Sequence, residues 1–254
     1  MPTTPVRYVA IGDSFSEGVG DELPDGSVRG WADLAAQGWA DALGEPIQYA
    51  NFAIRGRLIW PIVEEQLEPA LALRPTHLSF NGGGNDMLRP RTPISHVADA
   101  FSRVRERCEA EGVTLILLSG ANPSAQLPLG RVVAKRGDLL SEAVLERAAG
   151  HPEVVQALNW PDTELSRPPY WSQDRLHMNA RGHHRVAARV LEALGHESHP
   201  EWWSLPELDE VRLGRAEYYR THVGPWLKRR LTGHSSGDGR LPKFADWVSV
   251  PPRP

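Results

Sequence analysis

Apolar runs of strand length alternate with longer helical patterns along most of this chain, and this alternation constrains the fold more than any other feature. The strand-like runs lack the period-two polarity of a half-exposed sheet. We therefore expect an α/β protein with a mainly parallel sheet covered by helices on both faces. The predicted strands are 6–11, 47–52, 76–81, 113–119 and, more weakly, 154–158, and the predicted helices are 31–43, 62–73, 93–111, 137–149 and 179–194.

The chain has 254 residues, of which 41% are hydrophobic, so it is long enough to bury a sizeable core in one globular body. No stretch approaches 18 consecutive apolar residues, and we therefore predict no membrane span. Ligands of open parallel sheets bind at the C-terminal ends of the strands. The loops that follow the strands are therefore the first place to look for a site.

The loop after the first predicted strand contains Gly12, Asp13 and Ser14. A serine directly after a buried strand, with a glycine before it, can present its hydroxyl at the mouth of the sheet as a nucleophile. The same residues also suit an ordinary turn before a helix. The G-x-S-x-G elbow is absent because position 16 is serine, and neither a dinucleotide fingerprint nor a phosphate-binding loop occurs there.

Two further loops offer hydrogen-bond donors at the same edge of the sheet. Gly56 follows the second strand and can expose its backbone N–H, while Asn85 follows the third and can supply a side-chain amide. Either loop alone could be a turn rich in Gly and Asn. Together with Ser14 they describe a nucleophile beside an oxyanion hole.

Asp174 and His177 lie immediately before the last predicted helix, three residues apart. In a turn of this spacing the carboxylate can orient the imidazole and stabilise it when it takes a proton, as a catalytic base requires. A helix cap formed by Asp174 is an alternative. A metal site that adds His183 and His184 is another, although the spacing supplies no second acidic ligand.

The four segments together resemble the SGNH (GDSL) hydrolase superfamily, which is named for a Ser, a Gly, an Asn and a His in separate blocks. The matching residues, over roughly 6–190, are Ser14, Gly56, Asn85 and His177. The resemblance implies a three-layer α/β/α sandwich, flavodoxin-like, with about five parallel strands. It also implies a carboxylic ester hydrolase of the esterase or lipase type.

Under this resemblance, Ser14 is the nucleophile, His177 the general base and Asp174 the group that orients it. The oxyanion donors are the N–H groups of Ser14 and Gly56 and the side-chain amide of Asn85. The resemblance requires no metal and no cofactor, and the acidic residues inside the motifs, Asp13 and Asp86, are interpreted as structural.

The hydrolase region is predicted to span 1–197, and the remainder, 198–254, is predicted to be a basic, Trp-containing extension that packs on the body. Residues 1–210 carry 19 basic and 29 acidic side chains, whereas 211–254 carry 9 and 3, so the two parts should attract each other. A contact with nucleic acid or anionic lipid is the alternative use of the extension. We expect no nucleic-acid partner, because no basic stripe interleaved with aromatic residues is present.

The substrate is expected to be a small-molecule acyl ester. A thioesterase, a lysophospholipase or a carbohydrate O-acetyl esterase of the same fold stays open, as does a non-catalytic binding module. Candidate pocket-wall residues lie in the loops, whereas the natural substrate, the acyl-chain length and the oligomeric state do not follow from the sequence. The candidates are Phe15, Arg57, Trp60, Met87, Tyr170 and Trp171.

Three remaining features concern the cellular setting. The chain begins without a recognisable secretion signal, so we expect a cytoplasmic protein. Only Lys135, Lys228 and Lys243 of its 28 basic residues are lysines, a bias typical of a GC-rich bacterial genome. The single cysteine, Cys108, excludes a disulfide framework and is expected to be chemically inert.

Overall fold

The computed structural model describes residues 5–204 and 213–253, which form one mixed sheet with helices on both faces. The strands in chain order are β1 (Arg7–Ile11), β2 (Ile47–Asn51), β3 (His77–Phe80), β4 (Thr114–Leu118), β5 (Val155–Ala157) and β6 (Phe244–Val250). Their order across the sheet is β5-β4-β3-β1-β2-β6. The first five strands are parallel, and β6 pairs antiparallel with β2. The predicted fold class is confirmed, with one antiparallel strand added at the edge.

Helices on both faces, with the sheet between them, give the molecule three layers. They are α1 (Ser14–Glu17), α2 (Trp31–Leu43), α3 (Ile59–Ile62), α4 (Glu68–Ala72), α5 (Gly84–Met87), α6 (Ile94–Ala110), α7 (Gly130–Ala148), α8 (Ala180–Ala193), α9 (Arg215–Tyr218) and α10 (Gly224–Leu231). Helices α2 and α8 cover one face, and α3, α4, α6 and α7 cover the other. No helix within the described ranges is long and apolar enough to cross a membrane.

Strand β1 shows why the strand runs lack an alternation of apolar and polar positions. Tyr8 and Ala10 belong to the core under α2 and α8, whereas Val9 and Ile11 belong to the core under α3, α4 and α6. All four are 1% exposed or less. Because both faces of the strand are buried, neither set of alternate positions can be polar.

Two predicted helices begin earlier in the structure than the sequence indicates. The segment predicted at 62–73 starts at Ile59 and passes through a π-helical turn, Val63–Leu67, between α3 and α4. The helix predicted to start at Gly137 starts at Gly130. Gly137 lies inside α7, and a Cβ at this position would lie 1.9 Å from the Trp160 ring. That glycine therefore marks a close contact and not a helix start.

The basic residues near the C-terminus pair with acidic residues on helix α2. The Lys243 ammonium group lies 2.8 Å from Asp33 Oδ2 and also donates to the carbonyl oxygen of Val28. Arg253 donates to Asp41 through its backbone N–H and its guanidinium. These contacts, with strand β6, attach residues 243–253 to the sheet and to α2.

Candidate active site

Ser14 is the first residue of α1, three residues beyond the end of β1. Asp13 caps this short helix, since its Oδ1 accepts the Phe15 backbone N–H at 3.0 Å. Gly12 makes the sharp exit from the strand possible, because a Cβ there would lie 2.8 Å from the Asn81 carbonyl oxygen. The sequence thus places the Ser14 hydroxyl at the C-terminal edge of the sheet, as predicted.

The turn before α8 places His177 against Ser14. Asp174 Oδ1 accepts the backbone N–H groups of Leu176 and His177, each at 2.9 Å, and thereby fixes the turn. Asp174 Oδ2 lies 2.5 Å from His177 Nδ1, and His177 Nε2 lies 3.0 Å from Ser14 Oγ. Because the ionised carboxylate only accepts, the ring proton belongs on Nδ1, and the Nε2 lone pair faces the hydroxyl.

The pKa values of Asp174 and His177 move in opposite directions. Burial alone would raise the pKa of Asp174, but the charge and hydrogen bonds of His177 and the Leu176 N–H hold it well below its usual range. Burial lowers the pKa of His177, but the Asp174 carboxylate and, secondarily, the charge of Asp13 outweigh it. The pKa of His177 therefore lies above the ordinary 6.5.

Asn85 lies in the first turn of α5 and connects two of the loops. Its Nδ2 donates to Asp13 Oδ2 at 3.2 Å and to the Arg57 carbonyl oxygen at 3.0 Å. Burial raises the pKa of Asp13 to about 6. Asp86 accepts the backbone N–H of Ile59 at 2.9 Å, so both motif carboxylates shape loops.

Gly56 lies between Arg55 and Arg57 with a left-handed φ of 76°, a conformation that glycine adopts without strain. Within the described residues its N–H donates no hydrogen bond. The residues on either side are both tied to the site, since Asn85 holds the Arg57 carbonyl and Glu17 holds Arg55.

Glu17 is a site residue that the sequence reading missed. It lies one turn after Ser14 in α1 and its side chain is only 8% exposed. Its carboxylate accepts the Arg55 backbone N–H at 2.6 Å and the Arg55 guanidinium at 2.6 and 2.8 Å. The only sequence signal was a carboxylate and an arginine in two adjacent strand-end loops, which does not identify a pair.

A cavity opens beside Ser14, Asn85 and His177 and extends between α7 and the ends of β3 and β4. Of the six candidate wall residues, Phe15, Met87 and Trp171 line it. The other three make contacts elsewhere: Arg57 pairs with Glu65, Trp60 donates to the His96 carbonyl, and Tyr170 donates to Glu164. Most of the remaining wall is apolar and comes from Val19, Leu88, Phe101, Leu118, Leu140, Val144, Leu145, Leu158, Trp160 and Leu176.

The histidines of the alternative metal cluster bind backbone groups. His183 Nδ1 accepts the Trp31 N–H and His183 Nε2 donates to the Val19 carbonyl, while His184 Nδ1 donates to the Ala180 carbonyl. Across residues 5–204 and 213–253, no three His, Cys, Asp or Glu side chains are grouped so that they could hold a metal ion.

A sequence model of a known protein family matches the part of the chain that contains this site. The model of the GDSL-like lipase/acylhydrolase family matches residues 10–185, well over half of the chain, and the matched range contains Ser14, Gly56, Asn85 and His177. The chain belongs to this family. The predicted family is thereby confirmed, and with it a general assignment as an esterase or acylhydrolase. A search of curated proteins finds no sequence that matches the chain.

Solved structures share the fold of this GDSL-like chain. The psychrotrophic esterase EstA from Pseudoalteromonas sp. is 17% identical with a TM-score of 0.58, covering 74% of this chain and 96% of its own. TesA is 20% identical with a TM-score of 0.61 over 74% and 97%. Axe2, an acetylxylan esterase from Geobacillus stearothermophilus, is 17% identical with a TM-score of 0.59 over 79% and 97%.

Cys108 lies on α6, outside the wall of the cavity beside Ser14. It is 1% exposed on α6, and burial raises the pKa of its thiol to about 12. A thiol is a nucleophile only as the thiolate, so Cys108 is inert at neutral pH.

Proposed function

We propose that this chain is a serine hydrolase that cleaves carboxylic esters through an acyl-enzyme on Ser14. One observation carries the proposal: Asp174, His177 and Ser14 form a continuous chain of contacts, 2.5 Å and 3.0 Å long, that ends on a serine hydroxyl. A base oriented by a carboxylate and aimed at a hydroxyl is the arrangement that activates a serine.

In the proposed reaction, His177 Nε2 takes the Ser14 proton as the hydroxyl attacks the ester carbonyl. His177 then returns the proton to the departing alcohol, and water repeats both steps on the acyl-enzyme. The imidazolium is stabilised by Asp174, in agreement with the raised pKa of His177. A solved structure of Axe2 carries a Ser-to-Ala change described as a catalytic mutation, which supports a serine nucleophile on this fold.

The oxyanion donors in this proposal are the N–H groups of Ser14 and Gly56 and the amide of Asn85. Asn85 donates to Asp13 at 3.2 Å in the unliganded site, the longer of its two bonds. We propose that an oxyanion takes over this donor. Loss of one oxyanion donor typically costs about 2.7–4 kcal/mol of transition-state stabilisation, or about 10²–10³ in rate.

The apolar wall of the cavity supports an acyl chain as its occupant. Apolar surface gains about 25 cal/mol per Å² when it leaves water, and this wall offers few polar groups to compete for the substrate. We expect hydrolysis to be faster on p-nitrophenyl esters of longer acyl chains than on the acetate. A Leu140→Phe variant, which narrows the cavity, should penalise long chains more than acetate.

A fluorophosphonate probe tests the nucleophile directly, since it labels only an activated serine. Wild type and Cys108→Ser should be labelled and active, whereas Ser14→Ala should be neither. EstA is inhibited by monoethylphosphonate, so organophosphorus reagents can act on this fold. Activity retained by Ser14→Ala would refute the mechanism, and a panel of oxygen esters with a thioester arm identifies the preferred acyl linkage.

A further inference from the structure

The C-terminal segment 235–240 lies directly against the loop that carries Gly56. Gly237 is buried, and a Cβ at this position would lie 2.0 Å from the carbonyl oxygen of Arg55. A Cβ at Gly56 would lie 2.2 Å from Ser235 Oγ. The two segments therefore approach each other at a glycine on each side, and at Gly237 the neighbouring atom is backbone, which leaves no room for a side chain. We refer to residues 235–240 as the C-terminal clasp.

The clasp contacts one specific peptide group. The Arg55 carbonyl and the Gly56 N–H belong to the same planar unit, and in a trans peptide they point in opposite directions. Gly237 packs on the carbonyl side of this unit. Glycine at position 56 leaves the local backbone free to rotate, so the peptide needs an outside contact to hold one orientation. A rotation would carry the carbonyl away from Gly237 and turn the N–H with it.

The opposite side of the loop is held by the body of the protein. Glu17 binds the backbone N–H and the guanidinium of Arg55, and Glu17 belongs to the same short helix as Ser14. Arg240 of the clasp lies 3.7 Å from the same Glu17 carboxylate. Arg55 is thus held by α1 on one side and by the clasp on the other.

The clasp is itself ordered and anchored. Asp238 Oδ2 accepts the Ser235 N–H at 2.9 Å, and the Gly237 N–H donates to Ser235 Oγ at 3.1 Å. Immediately after the clasp, Lys243 binds Asp33 and strand β6 pairs with β2. Because β2 leads into the Gly56 loop, the anchor and the contact lie at the same edge of the sheet.

We propose that the C-terminal clasp is a positioning element for the hydrolase reaction, with Gly237 holding the peptide between Arg55 and Gly56 so that the Gly56 N–H stays directed at the oxyanion. This inference rests on the proposed function, since it assigns the extension a part in that same site. Residues outside the family match at 10–185 then contribute to transition-state stabilisation.

The decisive variant is Gly237→Ala, because the added methyl group would collide with the Arg55 carbonyl oxygen. Gly214→Ala is the matched control: it lies in the same extension, has a negative φ of −61° and has open space around the added atom. An oxyanion donor acts in the transition state only, so Gly237→Ala should lower kcat at least tenfold, towards the 10²–10³ of a lost donor, with KM unchanged. Gly214→Ala should match wild type.

The pH profile separates positioning from general damage. In the described part of the chain, no hydrogen bond or ion pair joins His177 or Asp174 to the clasp. The charge of Arg55 lowers the pKa of His177, but Glu17 holds that guanidinium from the side of α1. The acid limb of kcat/KM in Gly237→Ala should therefore coincide with that of wild type. A folded Gly237→Ala enzyme with wild-type kcat would overturn the proposal, as would a loss of kcat accompanied by a displaced acid limb.

A second variant keeps the test decisive if Gly237→Ala does not fold. Arg240→Glu changes a half-exposed side chain and places a second carboxylate beside Glu17. We expect kcat to fall severalfold while KM stays unchanged, and high salt should restore part of the lost kcat. An unchanged kcat in a folded Arg240→Glu protein would refute the positioning role of the clasp. Labelling of Ser14 by fluorophosphonate in the wild-type protein is measured in parallel. Labelled wild type with no effect of the clasp variants would reject only the clasp proposal, whereas unlabelled wild type would reject the serine mechanism itself.

Discussion

Two histidines close together in the chain, His177 and His183, are protonated on opposite ring nitrogens. His177 carries its proton on Nδ1 towards Asp174 and leaves the Nε2 lone pair facing Ser14. His183 accepts the Trp31 N–H on Nδ1 and donates from Nε2 to the Val19 carbonyl. The lone pair of His177 is directed at the Ser14 hydroxyl, and that of His183 accepts a backbone N–H.

The two environments also shift the pKa values apart. Burial disfavours the imidazolium in both cases, and in His183 it prevails and lowers the pKa to about 4. His177 has a carboxylate at 2.5 Å, and its pKa rises above 6.5. Burial alone therefore does not make a histidine a base: the partner of one ring nitrogen decides whether the lone pair on the other faces a side-chain hydroxyl or is held by the backbone.

The largest expected contrast is in turnover. His177→Ala should lower kcat by about 10⁶, the scale found when the base of a comparable triad is removed, because it removes the one side chain that hydrogen-bonds the Ser14 hydroxyl within the described residues. His183→Ala should keep kcat per folded molecule within about threefold. Ester hydrolysis normalised to active sites provides the comparison. If both variants lost activity equally while remaining folded, the assignment of roles would be wrong.

Asp174→Asn should have the next largest effect. Loss of the carboxylate lets the imidazole adopt the wrong tautomer, which costs about 10⁴ in kcat in a comparable triad. Without the anion, the pKa of His177 should fall, so the acid limb of kcat/KM should move to lower pH. In wild type, activity should be lost as the pH falls through a value above 6.5, where the imidazolium forms. A pH–rate profile of both proteins tests the sign.

The third contrast concerns stability, and here His183 should matter more than His177. His183→Ala should lower the free energy of unfolding by about 2–5 kcal/mol, because it opens a cavity and leaves the Trp31 N–H without its acceptor. His177→Ala should cost less, since its side chain is 22% exposed at the edge of a cavity. Urea denaturation of the two variants at pH 7 measures the difference. Equal losses would mean that His183 is not the structural member of the pair.

The smallest expected effect is a pH dependence of stability that belongs to His183. Its folded pKa is about 4 and its ordinary value 6.5, so the unfolded chain takes up a proton first as the pH falls. Stability should decrease from pH 6.5 towards 4, with a contribution of about 2 kcal/mol from this residue by pH 5. In His183→Gln this part of the slope should disappear, whereas an unchanged slope would assign it to other groups.

Local sequence predicts the parts of the site in which a suitable residue type stands at a position fixed by a neighbouring strand or turn. Ser14 follows a buried strand, and Asp174 and His177 lie three residues apart in one turn. The structure brings these three side chains together. Their catalytic roles, like the oxyanion roles of Gly56 and Asn85, stay predictions. The parallel sheet was equally predictable, because burial on both faces leaves nearly continuous apolar runs in strands such as β1 and β4.

The clasp and strand β6 were not predictable in the same way. The contact between Gly237 and Arg55 joins two loops that are remote in sequence, and neither loop shows a periodicity. Every residue of Phe244–Val250 is half-buried or exposed, as in an edge strand, and the exposure does not alternate regularly. The pairing of β6 with β2 also shifts register between Tyr49 and Asn51, so no clean period-two pattern marks the segment as a strand. Only the excess of basic residues after 211 indicated an attachment to the acidic body, and it did not indicate where.

Strand β6 also has a consequence for the order in which the molecule is built. It completes the hydrogen bonding of β2, yet it is synthesised after every other strand of the sheet. A nascent chain that has already assembled its parallel strands therefore still presents an open edge, the kind of surface through which sheets join to one another. The strand that covers β2 also brings segment 235–240 against the loop that carries Gly56, so the sheet gains its last strand and this loop gains its contact at the same stage of synthesis.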